Sequence, residues 1–243
     1  MTVSICMPWR NRLKQAEVAF PTWEEGHPHE ICIVNDGSTV EDEQWLRDKV
    51  ASGPLVRARH FSDTGYKRYP LRAYNECMAM GRGPILIQQS PEVAHLSRDL
   101  IGQLAGPLHR DEADVVFARV LNMSFEEVRW IAAESGWQRD VLVQKYYGEP
   151  WTTKDAKTLQ HDLPKCQGWP VYTGHERPLP FFFCGAIRKD LWERLGGYNT
   201  EMENTFDRGA DAAFAEQLID PANELRILGL GQGIAAHIKH SRD

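Results

Sequence analysis

Long apolar runs are absent from this sequence of 243 residues. No segment approaches the roughly 20 consecutive apolar residues that a membrane-spanning helix requires. The opening stretch, MTVSICMPWR, lacks the basic region and the following apolar stretch that define a secretory signal peptide. We therefore expect a cytoplasmic protein without a transmembrane segment.

Paired cysteines are absent as well. The five cysteines form no Cys-x-x-Cys pair, and their spacing matches no common metal site. Cys6 and Cys32 lie inside apolar, strand-like runs, where a thiol behaves as a small hydrophobic group. This pattern indicates reduced thiols, as is usual in the cytoplasm.

The sequence also lacks an excess of basic residues. Its 28 Lys and Arg against 34 Asp and Glu give a formal net charge of −6. An acidic chain of this kind is poorly suited to bind the phosphate backbone of a nucleic acid over a large surface. We find no internal repeat and no low-complexity segment. The length and the 42% hydrophobic content allow one large α/β domain or two small ones.

Strand-like and helix-like segments alternate through the first half of the chain. Strands separated by helices in this rhythm are typical of βαβ units and predict an α/β fold with a mainly parallel sheet. In the third helix, Leu71, Tyr74, Cys77 and Met78 share one apolar face. The predicted strands are 3–7, 30–36, 56–61, 84–89 and 113–120. The first predicted helix ends near Phe20, and two further helices span 41–50 and 69–81.

Polar residues follow three of these strands at the points where the strands end. The clusters are Pro8 to Arg12, Asn35 to Ser38, and Gln88 to Glu92. Ligands of open α/β sheets bind at the carboxyl ends of the strands. Three clusters at such ends therefore predict one shared crevice.

The pattern weakens between residues 121 and 180. We predict an irregular segment here, whose many Trp and Tyr side chains form either a small core or an acceptor-binding surface. Regular structure returns at 181–199 with an apolar run, a Cys-Gly-Ala turn, a helix and a Gly-Gly stop. Another helix is predicted over 209–219, and a short strand and a closing segment with His237 and His240 follow it.

Five motifs follow one another along the chain: VSICMPWRNR, EICIVNDGST, RAYNECMAMGRGPILI, FFFCGAIRKDLWERLGGYNTEM and GADAAFAEQL. Their order resembles that of the family 2 glycosyltransferases, which have the GT-A fold. The resemblance covers roughly residues 1–95 and 181–240. It implies a single GT-A domain over 1–243, with a nucleotide-binding half (1–120), a possible acceptor region (121–180) and a catalytic half (181–243).

The resemblance implies a divalent cation, Mn²⁺ or Mg²⁺, which stabilises the charge of a departing diphosphate. The family places an Asp-x-Asp motif after the fourth strand, where this chain has Ser90-Pro91-Glu92. Glu92 then inherits the metal contact, and His240 completes the site, with His237 as its rival. The alternative is a helix cap, in which Ser90 and Pro91 begin a helix.

The nucleotide site also follows from the resemblance. Asp36 matches the acidic residue that accepts the N3–H group of uracil, although an ordinary Asp-Gly turn is the alternative. Pro8, Trp9 and Arg10 match the loop that covers the nucleotide, with Arg10 a candidate for a phosphate. Trp9 could equally belong to the core.

The remaining site residues are carried over in the same way. Arg72 and Asn75 lie near the position of the family's Ala-Arg-Asn helix, although an exposed helix face would also explain them. Gly185 and Ala186 match the segment beside the sugar or the acceptor. Asp211 aligns with the general base of inverting enzymes, and a helix cap is its alternative.

The resemblance therefore implies an inverting, metal-dependent glycosyltransferase that uses a nucleotide-sugar donor, in particular a UDP-sugar. A glycan, a lipid-linked sugar, a protein and a modified nucleic-acid base all stay open as acceptors. The alternative is a non-catalytic nucleotide-sugar binder, since Ser90 and Ala210 replace two acidic residues of the family pattern. A nucleotidylyltransferase is disfavoured because the first strand is not followed by a glycine-rich loop.

Overall fold

The protein is described by a computed structural model. The structure describes residues 3–24, 26–61, 70–134, 138–142, 166–168, 181–204, 214, 217–218 and 220–238. The predicted helix over 209–219, Asp211 and His240 lie partly or wholly outside these residues. No helix in the described ranges has the length and apolarity needed to cross a membrane.

One sheet of nine strands organises the described part of the chain, in the order β3-β2-β1-β4-β8-β6-β9-β5, with β7 also paired to β9. Only β5 and β8 run against the direction that the other described strands share. The strands are β1 Val3–Trp9, β2 His29–Asp36, β3 Val56–Phe61, β4 Ile85–Gln89, β5 Val93–His95, β6 Val115–Met123, β7 Cys166–Gly168, β8 Gly185–Arg188 and β9 Ile227–Ile238.

Helices cover both faces of this sheet. One face packs against α1, α2, α4 and α5, and the other packs against α3 and α7. The prediction of an α/β fold with a mainly parallel sheet flanked by helices is confirmed. The helices are α1 Leu13–Trp23, α2 Val40–Ala51, α3 Leu71–Met80, α4 Leu100–His109, α5 Phe125–Ala132, α6 Phe181–Cys184 and α7 Lys189–Leu195, and short 3₁₀ helices span Thr200–Asn204 and Pro221–Asn223.

The central strands are mainly apolar because both of their faces are covered. In β1, Ile5 and Met7 point into the core on the α1 side, whereas Cys6 belongs to the core on the α3 side. Cys6, Cys32, Cys77 and Cys184 are buried free thiols. Burial raises the pKa of the Cys184 thiol to about 12, so this group stays protonated.

Three local predictions need correction. Residues 93–95 form strand β5 against β9, and the next helix begins only at Leu100, so Ser90 and Pro91 do not cap a helix. The segment predicted as a Cys-Gly-Ala turn is instead the junction of α6 and β8. The stretch predicted to be irregular begins with the last three residues of β6 and continues with helix α5. A reciprocal capping box of Ser124 and Glu127 begins this helix.

Candidate functional site

The three polar clusters meet at one edge of the sheet, as predicted. Strands β1, β2 and β4 are parallel neighbours, so their carboxyl ends lie side by side. The Asn11 backbone N–H donates to Ser38 Oγ at 3.1 Å, and Thr39 N–H donates to Asn11 Oδ1 at 2.9 Å. Arg12 reaches the third cluster, where its Nε lies 3.7 Å from Glu92 Oε2.

Asp42, in the first turn of α2, holds the β1–α1 loop in place. Its Oδ1 accepts hydrogen bonds from Trp9 Nε1 at 2.7 Å, from Arg12 N–H at 2.9 Å and from Leu13 N–H at 3.0 Å. Helix α1 has no cap from its own N-cap side chain. The carboxylate of Asp42 therefore satisfies the first backbone donors of α1 from a neighbouring helix.

Trp9 lies in the core. Its side chain is 1% exposed, and its ring stacks on Trp45 with a centroid distance of 5.2 Å. Pro8 is buried in β1 opposite Val34 of β2, and Arg10 is partly exposed directly after the strand. These positions give Trp9 the core role that the sequence left open. A direct contact of Pro8, Trp9 or Arg10 with a nucleotide stays a prediction.

The end of β2 presents two polar side chains on opposite faces of the sheet. Asn35 donates from Nδ2 to Glu43 Oε1 at 3.2 Å and lies 3.2 Å from His60 Nδ1. Asp36 is 1% exposed and is followed by Gly37, whose φ of 68° is left-handed. The chain therefore bends at Gly37, and the proposed base contact of Asp36 would form in a site shielded from water.

Asn75 holds the loop after α7. Its Nδ2 donates to the Tyr198 carbonyl at 2.8 Å, and Tyr198 N–H donates to Asn75 Oδ1 at 2.9 Å. A Cβ atom on Gly197 would lie 2.8 Å from Asn75 Oδ1, and Gly197 has a φ of 67°. Asn75 therefore has a structural role, whereas Arg72 lies exposed in the first turn of α3.

Two tyrosines meet the polar end of β4. The hydroxyl of Tyr198 donates to Gln88 Oε1 at 2.8 Å. The hydroxyl of Tyr74 lies 3.3 Å from Ser90 Oγ, and either atom can donate. The first position of the expected metal motif therefore faces a tyrosine hydroxyl.

Glu92 is 8% exposed and lies between two basic side chains. Its Oε1 is 3.5 Å from His237 Nε2, and its Oε2 is 3.7 Å from Arg12 Nε. The pairing of β5 with β9 sets Val93 opposite His237, and Ile238 N–H donates to the Glu92 carbonyl at 2.9 Å. Among the described residues, His237 is therefore the histidine that lies beside Glu92.

Comparison with known proteins bears on the fold. No protein-family model matches the sequence, and no curated protein matches it either. Solved structures do match. The mannosyltransferase PcManGT from Pyrobaculum calidifontis, in complex with GDP-Man and Mn²⁺, aligns with 99% of this chain at a TM-score of 0.63 and 16% identity. Residues 1–349 of S. aureus TarS, in complex with UDP, align with 98% of this chain at a TM-score of 0.64 and 12% identity.

A third match is GalNAc-T7 with UDP, GalNAc and Mn²⁺, which aligns with 99% of this chain at a TM-score of 0.65 and 12% identity. The chain has the GT-A fold. It spans 57% of the mannosyltransferase chain, 61% of the TarS chain and 44% of the GalNAc-T7 chain.

The GT-A fold implies a divalent cation, and the side chains of Glu92 and His237 suit one. Carboxylate and imidazole are ligands that Mn²⁺ and Mg²⁺ accept. Their 3.5 Å separation is close to the roughly 3 Å between adjacent ligands of an octahedral ion. No group of three or more His, Cys, Asp or Glu side chains that could hold a metal occurs among the described residues. The pair therefore fits a cation that takes its other ligands from a substrate or from water.

The second half of the expected GT-A site is only partly described. Gly185 and Ala186 begin β8, between β4 and β6, and both are buried. Gly185 lies opposite Gln88 in the sheet, so it adjoins the polar end of β4. Asp211 and His240, the predicted base and metal ligand, lie outside the described residues.

Sequence reasoning missed two residues of this edge. Asp42 carried a signal in the Thr39-x-x-Asp42 spacing, because Thr39 caps α2 and accepts a hydrogen bond from Asp42 N–H. Arg12 was noted only as the end of a polar cluster. No local pattern predicts its contact with Glu92, because the two residues are brought together by the sheet.

Proposed function

We propose that this protein is an inverting glycosyltransferase that moves a sugar from a nucleotide-sugar donor, a UDP-sugar, to a hydroxyl acceptor with Mn²⁺ or Mg²⁺. The observation that carries the proposal is the meeting of Arg12, Glu92 and His237 at the carboxyl edge of a GT-A sheet, beside the end of β2 at Asp36. Ligands of such sheets bind at this edge.

The structural neighbours support a nucleotide-sugar donor. They were solved with GDP-Man and Mn²⁺, with UDP, and with UDP, GalNAc and Mn²⁺. Two different nucleotides occur among them, so the choice of uracil rests on Asp36 and the motif around it.

We assign Asp36 to the N3–H group of the base. A hydrogen bond to a buried carboxylate discriminates strongly, because a base without the matching donor cannot form it. Pro8 and Trp9 would shape the nucleotide pocket from within β1. Arg10 and Arg72 would lie near the phosphates, and Asn75 would act on the donor site through the Tyr198 loop.

The transfer itself needs a base and a stabilised leaving group. A divalent cation held by Glu92 and His237, with His240 as a further candidate ligand, would offset the charge on the departing diphosphate. Asp211 would take the proton of the acceptor hydroxyl while its oxygen attacks the anomeric carbon. Attack opposite the leaving group inverts that carbon. Gly185 and Ala186 would line the sugar or acceptor side.

A non-catalytic nucleotide-sugar binder is the second candidate. It is favoured by Ser90, which replaces an acidic residue and contacts the Tyr74 hydroxyl at 3.3 Å. We propose a cytoplasmic location for either function, in line with the four buried free thiols. Glycans, lipid-linked sugars, proteins and modified nucleic-acid bases are the acceptors to screen.

Calorimetric titration with UDP in the presence of Mn²⁺ tests the proposal. We expect wild type to bind UDP in preference to GDP and CDP. Asp36→Ala should lose about 10- to 100-fold in affinity, since a buried hydrogen bond to a charged group is worth about 1.5–3 kcal/mol. Asp48→Ala, which removes an exposed carboxylate of α2, should bind like wild type. Stronger binding of GDP or CDP would overturn the UDP assignment, and no binding of any nucleotide would overturn the proposed function.

A further inference from the structure

Arg12 is held at the carboxylate that would bind the metal. Its Nε lies 3.7 Å from Glu92 Oε2, with the Arg12 side chain 21% exposed and the Glu92 side chain 11% exposed. Solvent and salt screen such a partly buried pair less than they screen a surface pair. The charge of Glu92 is therefore already balanced in part before any ligand arrives.

The position of Arg12 is built by its surroundings. Its backbone N–H donates to Asp42 Oδ1 at 2.9 Å, and its Nη1 donates to the Asn11 carbonyl at 3.1 Å. Asn11 is in turn bound to Ser38 and Thr39. The side chain thus leaves a fixed loop and points to Glu92 from the start of α1.

The charges of the described residues at this site are unfavourable for a metal alone. Glu92 is the acidic residue of Ser90-Pro91-Glu92, and Arg12 and His237 both contact it. A divalent cation near Glu92 meets the positive guanidinium of Arg12 at short range, and like charges so close repel strongly in a partly buried site. A cation can bind well only if Arg12 turns to another anion.

We propose that Arg12 is a built-in competitor of the divalent cation for Glu92, and that a diphosphate relieves this competition. A bound diphosphate offers Arg12 a second anionic partner in bidentate geometry. Glu92 is then released to the metal, so the metal and the diphosphate each strengthen the binding of the other. This coupling rests on the proposed function, which supplies the diphosphate.

Binding of Mn²⁺ alone to the full chain tests the competition, with free Mn²⁺ measured by electron paramagnetic resonance. Arg12→Gln should bind Mn²⁺ at least about tenfold more tightly than wild type, because one repulsive charge is removed. Arg12→Lys keeps the positive charge and should bind Mn²⁺ as weakly as wild type. Arg47→Gln removes an exposed positive charge of α2 and serves as the matched control, with no change expected. Arg12→Met, which keeps the apolar stem, replaces Arg12→Gln should that variant fail to fold.

The coupling is measured by repeating the titration with saturating UDP. We expect UDP to increase Mn²⁺ affinity more in wild type than in Arg12→Gln, which has no competitor to remove. Equal Mn²⁺ affinities of wild type and Arg12→Gln, no Mn²⁺ binding by either protein, or an equal effect of UDP on both would each overturn the inference. Failure of the proposed function would appear separately, as the absence of UDP binding to wild type.

Discussion

The indole N–H of Trp9 donates to Asp42 Oδ1 at 2.7 Å, which ties the end of β1 to the first turn of α2. The same oxygen accepts the N–H groups of Arg12 and Leu13. Asp42 is only 6% exposed. Its carboxylate therefore fixes the loop that presents Arg12. The geometry of the candidate site depends on this contact.

We expect Asp42→Ala to lower the free energy of unfolding by about 3 kcal/mol, because it leaves the buried N–H of Trp9 and two helix donors without their acceptor. Asp42→Asn should cost less, since an amide oxygen can still accept. Urea denaturation at an unchanged m-value measures both. Asp48→Ala, on the exposed face of the same helix, should stay within about 0.5 kcal/mol of wild type. If Asp42→Ala lowered the free energy of unfolding no more than Asp48→Ala does, the contact would not hold the loop.

Asn75→Ala should destabilise the protein by about 1–3 kcal/mol, since both polar atoms of the Asn75 amide bind the backbone of Tyr198. Glu193→Ala, which removes a side chain 65% exposed on α7, just before the same loop, is the control and should change stability little. Thermal unfolding of the two variants, followed by UDP titration, separates the roles. A loss of UDP affinity with unchanged stability would instead make Asn75 a direct nucleotide ligand.

His95 gives the protein an acid-sensitive core. The residue is 2% exposed, and its Nε2–H donates to Gln89 Oε1 at 2.7 Å. Burial, with smaller effects of His29 and Arg139, lowers the pKa of His95 from 6.5 to about 3. The unfolded chain therefore binds a proton at His95 between these pH values and the folded chain does not, so stability falls as the pH falls below 6.5.

Between pH 7.5 and pH 5, we expect wild type to lose about 2 kcal/mol more than His95→Gln, at 1.36 kcal/mol per pH unit below the unfolded pKa. Urea denaturation of both proteins at the two pH values gives this difference. His109→Gln, at the exposed end of α4, is the comparison histidine. Slight burial and the neighbouring His27 also lower the pKa of His109, so this variant should show a smaller change in the same direction. Identical pH dependence of wild type and His95→Gln would mean that His95 is protonated in the folded protein.

Much of the fold could be predicted from the sequence because its signals are local. Continuous apolar runs such as VSICM mark strands that are covered on both faces. The convergence of the three polar clusters followed from parallel strand direction alone. Helix α5 could also have been predicted, since Ser124 and Glu127 have the spacing of a capping box.

The contacts inside the site could not be predicted in this way, because they join residues far apart in the chain. His237 meets Glu92 through the pairing of β5 with β9, and β5 looked like the start of a helix. Ser90 followed by Pro91 resembles a helix cap in the sequence, but residues 93–95 pair with β9 in the sheet. The contact of Arg12 with Glu92 likewise depends on the neighbouring strands β1 and β4.

The central claim is that the protein catalyses glycosyl transfer. The rate at which it releases UDP from UDP-sugars in the presence of Mn²⁺ tests this claim. Slow transfer to water counts as turnover, so the acceptor need not be known. We predict that wild type releases UDP, and that Asp211→Asn binds the donor but releases UDP about 10²- to 10⁴-fold more slowly, because an amide cannot take the acceptor proton. A wild type that binds UDP-sugars and never releases UDP, with any acceptor tried, would contradict the account and establish a non-catalytic binder.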